Sequence, residues 1–298
     1  MRLAHLHLPN LVPFTHASHL QQTLVSRLLT YKRLSASASS PSTLAPPDPT
    51  ILTFTPHPVY TTGRRDLPNS SDTTNSHIPS KSPWLPTPLE PIRHLLTASP
   101  PLAEYHATLR GGQTTYHGPG QLVAYTILDL RRLRIGPRAH IRLLEESVLD
   151  VLAGYGVKGI LSEDPGVWVG PSNTTTTTAT KIATEDMAES GSQKDETAPR
   201  KIAAVGVHLR RFVSSYGIGL NVTEEVLWYF RQIVACGLEG RDATSLEGQG
   251  IRINNGIVEV AEKFVRAFVE KINEGTVSGG MGPKVDEIYR IQEKDILD

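Results

Sequence analysis

The chain has 298 residues, 30 basic and 30 acidic side chains and no net formal charge, so it can bury a substantial core in one large or two small domains. The charge balance argues against an electrostatic nucleic-acid footprint, and no apolar run reaches the length of a membrane span. A single cysteine, Cys236, excludes an intrachain disulfide and a structural cysteine-based zinc site.

The alternation Ala4-His5-Leu6-His7-Leu8 predicts a strand almost at once. These first residues do not read as a targeting segment, having one early Arg and no apolar core that ends at a small-residue cleavage site. Thr15 is placed to cap a helix whose Leu20, Leu24, Leu28 and Leu29 share one face. His5, His7, His16 and His19 lie close together, but no carboxylate completes a metal-ligand set, so they read as solvent-facing polar positions. Residues 34–50, rich in Ser, Ala and Pro, read as an insertion before the strand Ile51–Thr55. Pro58 and Gly63 bracket a strand end that leads into a shaped loop, and residues 67–87 read as a second insertion.

A strand at Tyr105–Leu109 and another at Leu122–Leu130 flank the densest motif of the chain, Arg110-Gly111-Gly112-Gln113-Thr114-Thr115-Tyr116-His117-Gly118-Pro119-Gly120-Gln121. Glycines let a backbone approach a ligand closely, Arg110 brings a fixed positive fork, and His117 can titrate or donate. The alternative is a glycine-rich hairpin with a buried polar edge. Interleaving of Arg, Tyr and His with the glycines favours a ligand-binding loop. No Gly-Lys-Ser/Thr follows and no Gly-x-Gly-x-x-Gly opens a helix, which excludes a Walker loop and a dinucleotide fingerprint.

Further on, Pro137 suits the first turn of a helix that presents Ile141, Leu144, Val148 and Leu152 and ends at Gly154 and Gly156. Gly166–Gly170 is a short apolar strand. Residues 172–199, with a run of threonines and no apolar periodicity, form a third insertion predicted to be disordered. Order resumes in the strand Lys201–Arg211. Its alternation puts Ile202, Ala204, Gly206 and His208 on one face and Lys201, Ala203, Val205 and Val207 on the other. Gly217–Val222 is its hairpin partner, Thr223 is placed to cap a helix opened by Glu224 and Glu225, and Ala235-Cys236-Gly237-Leu238 follows. Val260, Phe264, Phe268 and Ile272 align on a long helix, and from Glu274 the chain reads as a loose tail with one helical turn. The pattern predicts an α/β (α+β) fold: one mixed, largely antiparallel sheet domain with flanking helices over residues 1–273, interrupted by the insertions, and a tail at 274–298. By itself Cys236 reads as a small buried residue. As a nucleophile it would need a nearby cation, for which Lys201, Arg200 and His117 are candidates.

Residues 110–121 resemble the signature Arg-Gly-Gly-x-x-Thr-Tyr-His-Gly-Pro-Gly-Gln of the lipoyl(octanoyl) transferases. Four further motifs in the same order are similar to that family: His57-Pro58-Val59-Tyr60-Thr61 with Gly63, Lys201–Val207, Gly217–Val222, and Cys236-Gly237 followed by Ala243-Thr244-Ser245. Lys181-Ile182-Ala183 repeats only the start of the lysine motif and is rejected. Tyr216 stands where many bacterial members have histidine.

The resemblance implies a fold similar to the biotin/lipoate protein ligase catalytic fold. It also implies octanoyl transfer from octanoyl-acyl carrier protein to a lysine ε-amine. The acceptors would be lipoyl domains of 2-oxo acid dehydrogenase E2 subunits and the glycine cleavage H protein. It makes Cys236 the acyl-thioester residue, activated by Lys201. It gives substrate contacts to Arg110, Gly111, Gly112, Gln113, Thr114, Thr115, Tyr116, His117, Ala204, Val205, Gly206, Gly217, Ile218 and Gly219. No cofactor, metal, nucleic acid or membrane is called for, and a monomer is expected. The insertions suggest a eukaryotic member, hence a mitochondrial setting, or otherwise a cytoplasmic one. An ATP-dependent lipoate or biotin protein ligase, and a non-catalytic acyl-carrier or partner-binding domain, are the alternatives.

Overall fold

A computed structural model describes residues 1–37, 45–67, 84–170, 198–233, 242–275 and 282–297. Cys236-Gly237, Lys181 and most of the three insertions lie outside the described residues. In chain order the elements are β1 (Arg2–Val12), α1 (Phe14–Ser37), β2 (Thr50–Pro56) and β3 (Val59–Thr62). After α2 (Arg93–Leu96) come β4 (Glu104–Ala107), β5 (Thr115–His117) and β6 (Gln121–Ile127). Then follow α3 (Pro137–Ala153), β7 (Gly159–Leu161), β8 (Gly166–Val169), β9 (Arg200–Arg210) and β10 (Val213–Asn221). The last are α4 (Glu225–Arg231), α5 (Gly256–Glu274), β11 (Glu287–Arg290) and α6 (Lys294–Leu297).

An 8-stranded sheet runs β11-β1-β2-β6-β10-β9-β8-β7, and a 3-stranded sheet runs β4-β3-β5. In the large sheet only the pairings of β1 with β2 and β11 are parallel. The rest are antiparallel, as the expected hairpins require. The two strands that flank the glycine-rich motif do not pair as one hairpin. β4 joins the small sheet and β6 the large one, so the motif bridges two sheets.

Two apolar faces account for the layers. The periodic residues of α3 (Leu144, Val148, Leu152) and of α5 (Val260, Phe264, Phe268) pack on one face of the sheet against Leu122, Ala124, Ala203 and Ile218. On the other face Leu20, Leu24 and Leu28 of α1 cover Leu52, Phe54, Val123 and Tyr125. A satellite core of Tyr60, Leu89, Ile92, Tyr116 and Val226 lies under the small sheet. On that face α1 reaches β10 at Val213 and Tyr216, and the stretches of β9 and β10 past that contact, Ala204, Gly206, Gly217 and Gly219, line a cavity instead.

Several local expectations are corrected. Helix α1 begins at Phe14, one residue before the proposed cap Thr15, because the Pro13 carbonyl already accepts the His16 and Ala17 N–H groups. Thr223 does not cap α4; the cap position is Glu224, and the Thr223 hydroxyl is buried with no hydrogen-bond partner among the described residues. Residues 34–37 continue α1 rather than opening an insertion. His5 is not solvent-facing: it is buried, and its Nε2 shares the Thr53 hydroxyl with His7 Nδ1 at 2.8 and 2.9 Å. The loose-tail reading fails for β11, which extends the sheet in parallel beside β1, and Asn273 clamps Val285 through both its amide atoms at 2.8 Å. Pairing of Glu287–Arg290 through backbone groups leaves no apolar periodicity to read, so this edge strand was not visible in the sequence.

Candidate active site

The small sheet and the glycine-rich motif face the uncovered end of the large sheet, enclosing a cavity of about 240 Å3. Among the described residues β8 pairs with β9 at Arg200–Ala204, and past that stretch the Gly111 N–H donates to Val207 O at 2.9 Å. On the opposite side of the motif, Arg64 N–H donates to Arg110 O and Arg65 N–H to Gly112 O, at 3.0 and 3.2 Å. Gly63 packs so tightly on the Gly111 and Gly112 carbonyls that a Cβ there would collide with them. Glycine at 63 and at 112, which has φ of +85°, is what lets these two segments touch.

Within the motif, side chains alternate as β5 requires. Thr115 and His117 line the cavity, whereas Thr114 and Tyr116 point away from it. Thr114 Oγ1 and N–H both donate to Asp66 Oδ2, at 2.8 and 2.7 Å. Tyr116 stacks on Tyr229 with ring centroids 4.3 Å apart. These two residues brace the motif from behind and do not reach the cavity lining. Arg110 lines the cavity along its stem, but its guanidinium Nη2 donates to Thr61 O and Oγ1 at 2.9 Å and Nη1 to Gly111 O at 3.1 Å. Its charge holds the loop closed on β3. Gly111, Gly112, Gln113, Ala204, Val205, Gly206, Gly217, Ile218 and Gly219 all reach the cavity lining. A side chain at Gly206 would meet the Arg110 stem, and one at Gly219 the His117 ring, so these glycines keep the floor flat.

His117 anchors a polar chain. Its Nδ1 lies 2.7 Å from Gln121 Oε1, Gln121 Nε2 donates to Asn221 Oδ1 at 2.8 Å, and Asn221 Nδ2 donates to Thr244 O at 2.8 Å. An amide oxygen can only accept, so the neutral ring carries its proton on Nδ1. Burial, assisted by Arg110, holds the His117 pKa down at about 4.

Lys201 reaches this cavity by a break in strand alternation. The β8–β9 register shifts between Val167 and Trp168, leaving one extra β9 residue at Ile202. As a result Ile202 and Ala203 both enter the α3–α5 core, and Lys201 lines the cavity with Ala204 and Gly206. The face assignment from simple alternation is thereby corrected for Lys201 and Ile202. The ammonium lies over the Trp168 ring, 4.9 Å from its centroid. The lysine stem passes over Gly166, which has φ of +128°; a Cβ there would lie 2.6 Å from Lys201 Cε and 2.5 Å from Ala203 O. The Gly166 N–H donates to Glu145 Oε1 at 2.9 Å. Burial pushes the Glu145 carboxyl up, opposed by that N–H, by Arg142 and by Lys201. Trp168, Gly166 and Glu145 were missed in the sequence, because nothing local ties a helix carboxylate and two strand residues to a lysine that follows an insertion.

The segment that resumes after the cysteine is tied to the lysine backbone. Lys201 N–H donates to Asp242 O, and Thr244 N–H donates to Lys201 O, both at 2.9 Å. Asp242 is six positions after Cys236 in the chain.

The buried rings make a testable pH profile. His5, His117 and His140 are each held down to about 4 mainly by burial. Below the usual value of about 6.5, the unfolded chain binds protons that the native rings refuse. Their stabilisation is therefore complete above pH ~6.5 and drains away as the pH falls toward ~4, by on the order of 3 kcal/mol for one fully buried ring. Calorimetry should show the melting temperature dropping over that window, and a flat profile would contradict the assignment of neutral native rings.

The family model for the lipoyl protein ligase A/B catalytic domain matches residues 101–269. A Schizosaccharomyces pombe protein named "Probable octanoyltransferase" is 33% identical over 242 residues, 81% of this chain and 83% of the yeast protein. The octanoyltransferase of Solibacter usitatus is 41% identical over 165 residues, 55% of this chain and 60% of the bacterial one. Among solved structures, the bi-partite lipoate protein ligase of Thermoplasma acidophilum superposes with a TM-score of 0.51, covering 99% of this chain and 88% of that one at 13% identity. At that identity the likeness is one of fold.

Proposed function

We infer the reaction from one premise: this chain belongs to the lipoyl protein ligase A/B catalytic domain family, and its relatives over that domain are octanoyltransferases. The protein is an acyltransferase of protein lipoylation. It takes an octanoyl group from an acyl donor and gives it to a lipoyl-domain acceptor.

In the mechanism proposed here, the Cys236 thiolate attacks the thioester carbonyl of octanoyl-acyl carrier protein. An S–C bond forms to Cys236, the bond to the carrier sulfur breaks, and the carrier leaves as a thiol by taking the proton of the Lys201 ammonium. The ε-amine of the acceptor lysine then attacks the acyl-enzyme, the amide forms, and the Cys236 sulfur departs. Lys201 serves both halves, first as the ammonium that favours the thiolate and protonates the departing carrier sulfur, then as the neutral amine that takes a proton from the incoming nucleophile. Thioester exchange is close to balanced and amide formation is downhill, so the sequence of steps calls for no nucleotide. The acyl chain would lie on the floor of Ala204, Gly206, Gly217 and Gly219 beneath the glycine loop.

The observation that carries this reading is the pairing of the Lys201 backbone with Asp242 and Thr244, at the end of the segment containing Cys236. Acceptors proposed are lipoyl domains of E2 subunits and the glycine cleavage H protein, and the proposed compartment is the mitochondrion. Intact-mass measurement after mixing with octanoyl-acyl carrier protein should show one octanoyl adduct on Cys236. Transfer to a lipoyl domain should follow without ATP. A strict need for ATP would replace this reading with that of a ligase.

A further inference from the structure

We propose that Tyr216 sets the acyl-chain length, as the wall at which the acyl cavity ends; the inference rests on the octanoyl-transfer reading above. The residue is placed there by a second break in strand alternation. In β10, Ile218 enters the core under α3 and α5, so a regular strand would send Tyr216 to the same side. Tyr216 instead has φ of +60°, an outlier for a bulky residue. Its ring joins Tyr125 on the opposite face, 5.4 Å away at 72°. Two contacts clamp this conformation. The Tyr216 N–H donates to Oε1 of the buried Gln21 on α1 at 2.6 Å, and the Tyr216 hydroxyl accepts the Leu109 N–H at 3.4 Å. Strain held by so much surrounding structure points to a function for the side chain it positions.

That side chain is a partition. A second cleft, about 530 Å3, lies between the start of α1 and β4 and includes Ser18, Leu67 and Ala107. Phe14, Thr108 and Tyr216 line both this cleft and the acyl cavity. The spacing suits an eight-carbon chain. The Lys201 stem passes over Gly166, which pairs with Ala204, whereas Tyr216 pairs with Val207. Three residues of strand at about 3.3 Å each give about 10 Å. Seven C–C bonds of about 1.5 Å, each advancing about 1.3 Å along a zigzag, span about 9 Å. A longer chain would have to pass Tyr216 into the second cleft.

The test is a competition among octanoyl-, decanoyl- and dodecanoyl-acyl carrier protein, read as the acyl-enzyme masses formed by the full chain. Tyr216→Gly removes the wall at a position whose positive φ suits glycine. It should raise the dodecanoyl-to-octanoyl ratio at least about tenfold, the scale on which pockets discriminate methylenes. Tyr216→Phe keeps the wall and should keep the wild-type ratio. Adding Ser18→Phe to Tyr216→Gly fills the far cleft and should restore octanoyl preference. Tyr216→Asn, also tolerant of positive φ, takes the place of Tyr216→Gly should the latter fail to fold. A folded Tyr216→Gly or Tyr216→Asn whose ratio stays within about twofold of wild type, far below a methylene's worth, overturns the proposal. Wild type that forms no octanoyl adduct at all overturns the reaction reading itself, and this inference with it.

Discussion

Cys236→Ser is expected to abolish the octanoyl adduct and the transfer that depends on it, while the melting temperature stays near wild type. Serine is nearly isosteric but is a weak nucleophile at its free pKa. Lys201→Ala tests how the thiol is activated. A free thiol ionises near pKa ~8.5, and a neighbouring ammonium lowers that value by favouring the charged form. Iodoacetamide should therefore alkylate wild-type Cys236 well below that pH, and Lys201→Ala should move the midpoint upward. Lys201→Arg keeps the charge but cannot release a proton near neutrality. It should retain part of the acylation and lose most of the transfer to the acceptor amine. An alkylation profile unchanged in Lys201→Ala would remove Lys201 as the activating group.

Gly166→Ala is expected to lose roughly a hundredfold in acylation rate without replacing either proposed catalytic residue. The new Cβ would lie 2.6 Å from Lys201 Cε and 2.5 Å from Ala203 O, at a φ of +128° that an L side chain rarely adopts. The lysine stem can swing aside, but the Ala203 carbonyl belongs to β9, so backbone must shift as well. Strain of this kind costs on the order of 1–3 kcal/mol. Displacing a reacting group by about 1 Å can cost roughly a hundredfold in rate. Single-turnover acylation should fall by about that factor, and the alkylation midpoint of Cys236 should rise as it does in Lys201→Ala. Wild-type acylation in a variant destabilised only by strain would show that Lys201 does not need its path over Gly166.

Much of the site was legible because its signals are local. The glycine-rich motif, the Lys201 strand and the Gly217 hairpin partner each announce themselves in a few adjacent residues, and the structure brings their cavity-facing members together. Thr114 and Tyr116 are the members of the motif that do not line the cavity. Alternation in β5 turns them away from the cavity, one to Asp66 and the other to Tyr229. Once that segment is known to be a strand, the same two-residue period could have separated them from Thr115 and His117. Its brevity, Thr115–His117, hid the strand among glycines.

Amphipathic periodicity depends only on neighbours along the chain, so the sequence by itself determined the helices α1, α3 and α5, the β9–β10 hairpin and the mixed sheet class. The family of the chain was determined in the same way, by the order and spacing of short motifs. Tertiary structure alone decided which way the decisive side chains face. Lys201 reaches the cavity because one extra residue in β9 breaks register against β8, and Tyr216 because its backbone turns left-handed under the grip of Gln21. Register and backbone handedness at these points answer to partners far away in sequence, Trp168 for one and α1 for the other. A one-residue slip inverts every facing, so a pattern of alternating residues cannot report where such a break occurs.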